Sequence, residues 1–168
     1  PRLGMYMTLD NSFTDVSWYG KGPNESYWDR KTGQKIGLYS GKIVDQFHRY
    51  SRPQETGNKT DIRWMEVVSN DLKLKVTSQQ LLNTSVWPFK MQELDFNSDD
   101  GAKSASGLVP VTTKHGADIE IGKTIQWNID FLQMGVGGDT SWGRLVHPEY
   151  IIYANKNYSY TFTITPKT

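Results

Sequence analysis

No cysteine occurs anywhere in this chain, which excludes disulfides, thiolate metal sites and a cysteine nucleophile. The same absence leaves the compartment open, because a cysteine-free protein folds in either redox environment. Charge of one sign is lacking too: nineteen basic and eighteen acidic residues leave a formal net charge of +1. Such a balance supplies no long-range field for nucleic acid or an anionic membrane. The nearest approach to a basic cluster, Lys73 and Lys75, alternates with Leu72, Leu74 and Val76 and reads as the wet face of a strand. No apolar run approaches the roughly 20 residues that span a bilayer as a helix. The three histidines, His48, His115 and His147, are spread apart without zinc-ligand spacing, and no metal site is expected. Nor does any stretch hold an apolar stripe of helical period for three turns.

What the chain does hold is alternation. Leu72, Leu74 and Val76 are interleaved with polar residues, as are Ile125, Trp127, Ile129 and Phe131, and again Tyr158, Tyr160, Phe162 and Ile164. One apolar and one polar face is the pattern of a half-buried antiparallel strand. Shorter candidates run from Met5 to Leu9, Val16 to Tyr19, Ile36 to Val44 and Ile62 to Val68, with a helical turn near Met91 to Leu94. The expected class is all-β, an antiparallel sandwich, with residues 1–168 forming a single domain. Long polar loops separate the strands: Gly20 to Gly33, Arg52 to Thr60, Asn97 to Gly107 and Gly135 to Pro148. Loops of this length in a compact β domain are usually either functional or mobile.

Six tryptophans and nine tyrosines are many for 168 residues. Several stand beside Gly, Asp or Asn, where an aromatic face could stack on a sugar ring while its hydroxyls bond outward. Large rings also fill β cores, and most of these are expected to do that. The loop Gly135-Val136-Gly137-Gly138-Asp139-Thr140-Ser141-Trp142-Gly143 combines backbone freedom, two hydrogen-bonding side chains and one aromatic platform. It fits sugar contact or a structural turn, and its spacing matches no phosphate-binding loop. A second loop places Glu25, Asp29 and Arg30 among Trp18, Tyr19, Tyr27 and Trp28. Glu25 and Glu55 could flank a glycosidic bond. The favoured reading is that these carboxylates brace loops through Arg30, Arg52 or backbone N–H groups. Asp95 to Gly101 departs from a calcium loop, with glycine one place late, and reads as a solvated turn.

Taken in order, the motifs carry a resemblance. Trp18-Tyr19-Gly20-x-Gly22-Pro23-x-Glu25-x-Tyr27-x-Asp29-Arg30 comes first, then Arg52-Pro53-Gln54-Glu55-x-Gly57-Asn58 and Arg63-Trp64. Met134 to Gly143 follows, and then His147-Pro148-Glu149-Tyr150. This succession resembles the last domain of family 2 glycoside hydrolases of the β-galactosidase type. The resemblance implies a β-supersandwich like that of galactose mutarotases. It also implies that both catalytic glutamates, with their magnesium and sodium sites, lie in a separate (β/α)8 barrel, so that no catalytic residue and no cofactor are expected here. By the Gly-Gly-Asp-x-Ser-Trp motif, Trp142 is the substrate platform, with Asp139 and Ser141 beside it. The segment Trp87 to Leu94 follows the family only loosely.

The expected partners are a galactoside and the remaining domains of a parent enzyme. Pairing of exposed sheet edges into a homo-oligomer is a further expectation; nucleic acid and membrane are not expected partners. The chain opens on Pro1-Arg2-Leu3-Gly4, so a piece of a longer enzyme is expected; its compartment stays open, with a bacterial cytoplasm or periplasm the leading choices. Two other functions fit the same residues. One is a carbohydrate-binding module using Trp142, Trp18 or Trp28. The other is a mutarotase-like catalyst, which would need a histidine beside Glu25, Glu55 or Glu149.

Overall fold

The computed structural model describes residues 1–95, 114–140 and 146–168. Seven strands make one antiparallel sheet: β1 (Arg2–Leu9), β2 (Asp15–Gly22), β3 (Lys35–Lys42), β4 (Lys59–Val68), β5 (Lys73–Trp87), β6 (Ile125–Gln133) and β7 (Thr163–Lys167). Their order is β1-β6-β5-β4-β2-β3, with β7 on β5. Single turns of 3-10 helix supply the remaining regular structure, one of them at Met91–Leu94 where a helical turn was expected. The all-β antiparallel class is therefore as the alternation predicts, and the seven-stranded antiparallel sheet is consistent with a β-sandwich.

The alternation puts Val16 and Trp18 of β2 on the same face as Met65 and Val67 of β4. Met5, Met7 and Leu9 of β1 pair with Ile129, Trp127 and Ile125 of β6. These residues, with Val76, Leu82 and Val86, form the main core. Trp18 and Trp127 are almost wholly buried. A buried tryptophan removes about 150–250 Å² from water, worth roughly 4–6 kcal/mol as an upper figure. A smaller cluster of Trp87, Phe89 and Ile119, flanked by Phe47, lies on the opposite face.

That second cluster overturns one expectation. The polar residues of β6 were read as a half-exposed face, yet Gln126, Asn128 and Asp130 are buried. Trp87, paired with Gln126 across the ladder, brings the smaller cluster over them. Burial then demands partners. Gln126 accepts from the Met91 N–H at 2.8 Å and donates to Asn128 at 2.8 Å, and Asn128 donates to Ser85 at 2.8 Å.

A second expectation, a ladder strand across Tyr158 to Ile164, is met only from Thr163 onward. The cause is a bulge in β5. Ile62 pairs with Leu82 and Trp64 with Thr77, so Arg63 alone faces Ser78 to Leu81. The bulge divides β5 into a first half that pairs β7 and a second half that pairs β6. At the break, side chains replace the backbone ladder. Ser78 Oγ donates to Thr161 O at 2.8 Å, Gln80 donates to Ser159 O at 3.2 Å, and Thr161 N donates to Gln80 at 3.0 Å. The apolar alternation still holds, because Tyr160, Phe162 and Ile164 pack against the core.

Candidate functional site

The glycine-rich loop leaves β6 at Gln133 and is tied down residue by residue. Met134 N donates to Pro1 O at 3.0 Å and Gly135 N to Tyr150 O at 3.1 Å. Val136 N and Gly137 N then donate to the two carboxylate oxygens of Asp29, at 3.1 and 2.7 Å. Asp29 follows Trp28, whose ring meets Tyr150 edge-on at 6.0 Å. Position 135 needs glycine because a Cβ there would lie 2.8 Å from the Asp29 carboxyl carbon and 2.9 Å from Tyr150 Cβ. A carboxylate accepting two adjacent N–H groups at one bend fixes that bend more firmly than a neutral acceptor would.

Beyond the bend, Asp139 meets the His147 Nε2 at 2.7 Å. The carboxylate favours the imidazolium, first through the hydrogen bond and then through its charge, so His147 titrates above its ordinary value. Glu149 stands 3.9 Å from the other ring nitrogen, too far for a hydrogen bond. Both members of the Asp139–His147 pair are more than half exposed. Ser141 and Trp142, the other two substrate-binding candidates, lie outside the described residues, as do most of the Asp95–Gly101 turn and the whole Asn97–Gly107 loop.

The remaining carboxylates fall into two groups. Glu25 joins the first loop to the 50–57 segment. It accepts from the Gly57 N–H at 2.7 Å, from Arg30 at 2.8 Å and from Thr56 Oγ1 at 3.2 Å, and it also accepts from the Tyr50 hydroxyl. Burial by itself would raise its pKa, but these donors win and hold it below the ordinary carboxylate range. Gly57 has φ +75°, and a Cβ there would fall 2.3 Å from Gln46 O, so the donor that fixes Glu25 depends on glycine. The second group surrounds Arg2. Its Nη2 bonds both oxygens of Glu55 at 3.1 Å, and its Nε donates to Gln133 at 2.9 Å and lies 3.3 Å from Asp130. One guanidinium thus faces two carboxylates, Asp130 buried and Glu55 half-buried. Burial raises Glu55 and pushes Asp130 up to about 7, against the pull of Arg2.

Every sequence-derived carboxylate of the first two loops therefore has a bracing contact: Glu25 through Arg30 and Gly57, Asp29 through Val136 and Gly137, Glu55 through Arg2. Three partners were not read from the sequence. His147 was taken as a surface or structural residue, and its place within the His-Pro-Glu-Tyr motif was the only signal available. Asp130 was assigned to the polar face of a half-buried strand. Lys59 was not singled out, though it is 4% exposed. Trp18 is buried in the core at 2% exposure and so presents no outward platform. Among the described residues no group of three or more His, Asp or Glu side chains could hold a metal ion. Nor is any described helix long and apolar enough to cross a membrane.

Comparison with known proteins adds a family to this geometry. The family model described as "Beta galactosidase small chain" matches residues 1–164. A β-galactosidase of Priestia megaterium is 36% identical over 167 residues, covering 99% of this chain and 15% of that protein. A β-galactosidase of Lactobacillus delbrueckii subsp. bulgaricus is 34% identical over 168 residues, again covering 99% of this chain and 15% of the relative. One from Pseudoalteromonas haloplanktis is 32% identical over 98% of this chain. The chain thus spans about 15% of the length of the first two relatives.

Proposed function

The chain belongs to the β-galactosidase small-chain family, and from that premise we propose that it completes the substrate pocket of a parent β-galactosidase without supplying the reacting groups. Its loop from Gly135 to Gly143 is the contributing element. Trp142 offers a stacking face to the sugar, and Asp139 and Ser141 offer hydrogen bonds. The chemistry, hydrolysis of terminal β-D-galactosides with retention, belongs to the rest of the parent, as do any magnesium and sodium ions.

The observation that carries this reading is the grip of Asp29 on the Val136 and Gly137 N–H groups. A platform raises the rate only if it waits in the right place, since ordering a loop on binding would consume the affinity it adds. The 2.7 Å bond from His147 to Asp139 works in the same direction. Because Glu25 and Glu55 are each committed to bracing partners, neither is free to serve as acid or nucleophile.

Hydrolysis of a chromogenic β-galactoside by this chain, alone and mixed with the remainder of its parent, tests the proposal. Expected is no turnover alone, activity on mixing, and a KM raised about tenfold by Trp142→Ala with a smaller rise for Asp29→Asn. Turnover by the isolated chain would overturn the division of labour. Tight galactoside binding by the isolated chain would favour a self-sufficient carbohydrate-binding module instead.

A further inference from the structure

Lys59 opens β4 and is 4% exposed, yet its ammonium has no hydrogen-bonding or ion-pair partner among the described residues. Its nearest aromatic neighbour is the Trp18 ring, 5.2 Å from the nitrogen. An ammonium has three N–H donors and no acceptor, so without a protein oxygen it must find its partners in the solvent or in a ligand. The side chain instead lines a cleft of about 520 Å³, a volume within the range of small-molecule sites.

The rest of the cleft mixes polar and apolar groups. Trp18 borders the cleft but, at 2% exposure, offers it no stacking face, and its indole N–H is already donated to Lys21 O at 3.0 Å. Glu25 lines the wall, pairs with Arg30 and accepts from Tyr50, Gly57 and Thr56, and its charge also acts on Lys59. His48 lines the opening with an exposed ring that packs edge-on against Tyr50 at 4.5 Å, and its backbone N–H is fixed on Thr56 Oγ1 at 2.8 Å. Asn24 adds an exposed amide. The titratable groups facing the cleft are therefore Glu25, Asp45, His48, Tyr50 and Lys59. Of the two carboxylates, Asp45 is exposed to solvent, where water screens it.

We propose that this cleft binds a monosaccharide-sized polyol carrying one anionic group, a carboxylate or a phosphate, with Lys59 holding the anion and His48 and Asn24 holding hydroxyls. The assignment follows from a lysine that is 4% exposed, has no partner among the described residues, and lines the cleft together with His48 and Asn24. It goes beyond the pocket-completing role, because no described residue of the Gly135–Gly143 loop lines the cleft.

The test is site-resolved and does not read galactoside turnover. In the parent enzyme, lysine-reactive labelling at Lys59 and carbethoxylation of His48 are followed by mass spectrometry, with exposed Lys73 as internal reference. D-galactonate, a hexose 6-phosphate, neutral galactose and inorganic phosphate are titrated in turn. Expected is at least fivefold slower labelling of Lys59 and His48 by galactonate or by the sugar phosphate, with half-protection at 10 mM or below. Which of the two protects decides between carboxylate and phosphate. Lys59→Met should move half-protection of His48 at least tenfold higher, provided its far-UV dichroism matches the parent. The proposal is overturned if neither anionic sugar protects Lys59. Equal protection by neutral galactose would remove the anion, and equal protection by inorganic phosphate would remove the polyol.

Discussion

Glu25 and Asp130 are both carboxylates withdrawn from water beside an arginine, and they titrate in opposite directions. Glu25 receives five donors, a backbone N–H, a guanidinium and three hydroxyls, and is held below the ordinary range. Asp130 shares Arg2 with Glu55, meets it only at 3.3 Å, and is pushed up to about 7. One of its oxygens and one Arg2 nitrogen have no hydrogen-bond partner among the described residues. Burial is common to both sites; what differs is the number of donors aimed at the charge. Donor count thus separates a brace from a strained cluster.

The comparison breaks most visibly at Glu25. Glu25→Ala should destabilise by about 3 kcal/mol at pH 7 in urea unfolding, because it strands the Gly57, Thr56 and Arg30 donors. Since its folded pKa is lowered, that contribution is present above pH ~4.5 and lost as pH falls through the folded value. The gap between parent and variant should therefore close on acidification. A gap independent of pH would deny Glu25 its role as an ionised brace.

Asp130→Asn should act with the other sign. Because the folded pKa is raised to about 7, parent stability from this group is greatest below pH ~4 and falls as pH rises through about 7. The variant should be more stable by about 2 kcal/mol at pH 8 and nearly unchanged at pH 4. Destabilisation at pH 8 would mean that the Arg2 contact outweighs burial.

Lys59 extends the contrast to a cation. Burial lowers its pKa to about 8, so the folded protein carries a penalty below that value which lifts as pH rises toward the unfolded value near 10.5. Lys59→Met should stabilise by about 1 kcal/mol at pH 7, with the gain gone by pH ~10.5. No gain would show that the Trp18 face compensates the buried charge. The smallest effect belongs to Asp29→Ala, within about 1 kcal/mol in stability. Hydrogen exchange at the Val136 and Gly137 amides should nevertheless speed by tenfold or more, and unchanged exchange would deny Asp29 its hold on the loop.

Sequence alone determined the all-β class and the apolar core faces, because side-chain period maps directly onto sheet faces. Met5, Met7 and Leu9, or Ile125, Trp127 and Ile129, could be assigned before any coordinates. The ordered Trp-Tyr-Gly and Gly-Gly-Asp motifs likewise pointed to the family that the comparisons establish. Period could not say that Gln126, Asn128 and Asp130 would be covered, since an alternating polar face looks the same wet or buried. Nor could it foresee that the Ser78–Leu81 bulge would hand the pairing of Ser159 and Thr161 to side chains. The Asp29 grip on Val136 and Gly137, the Asp139–His147 pair and the partnerless Lys59 join residues from distant parts of the chain, or depend on what surrounds them. Such contacts arise only when the sheet brings loops to one end, where burial and donor geometry fix the charge each group carries.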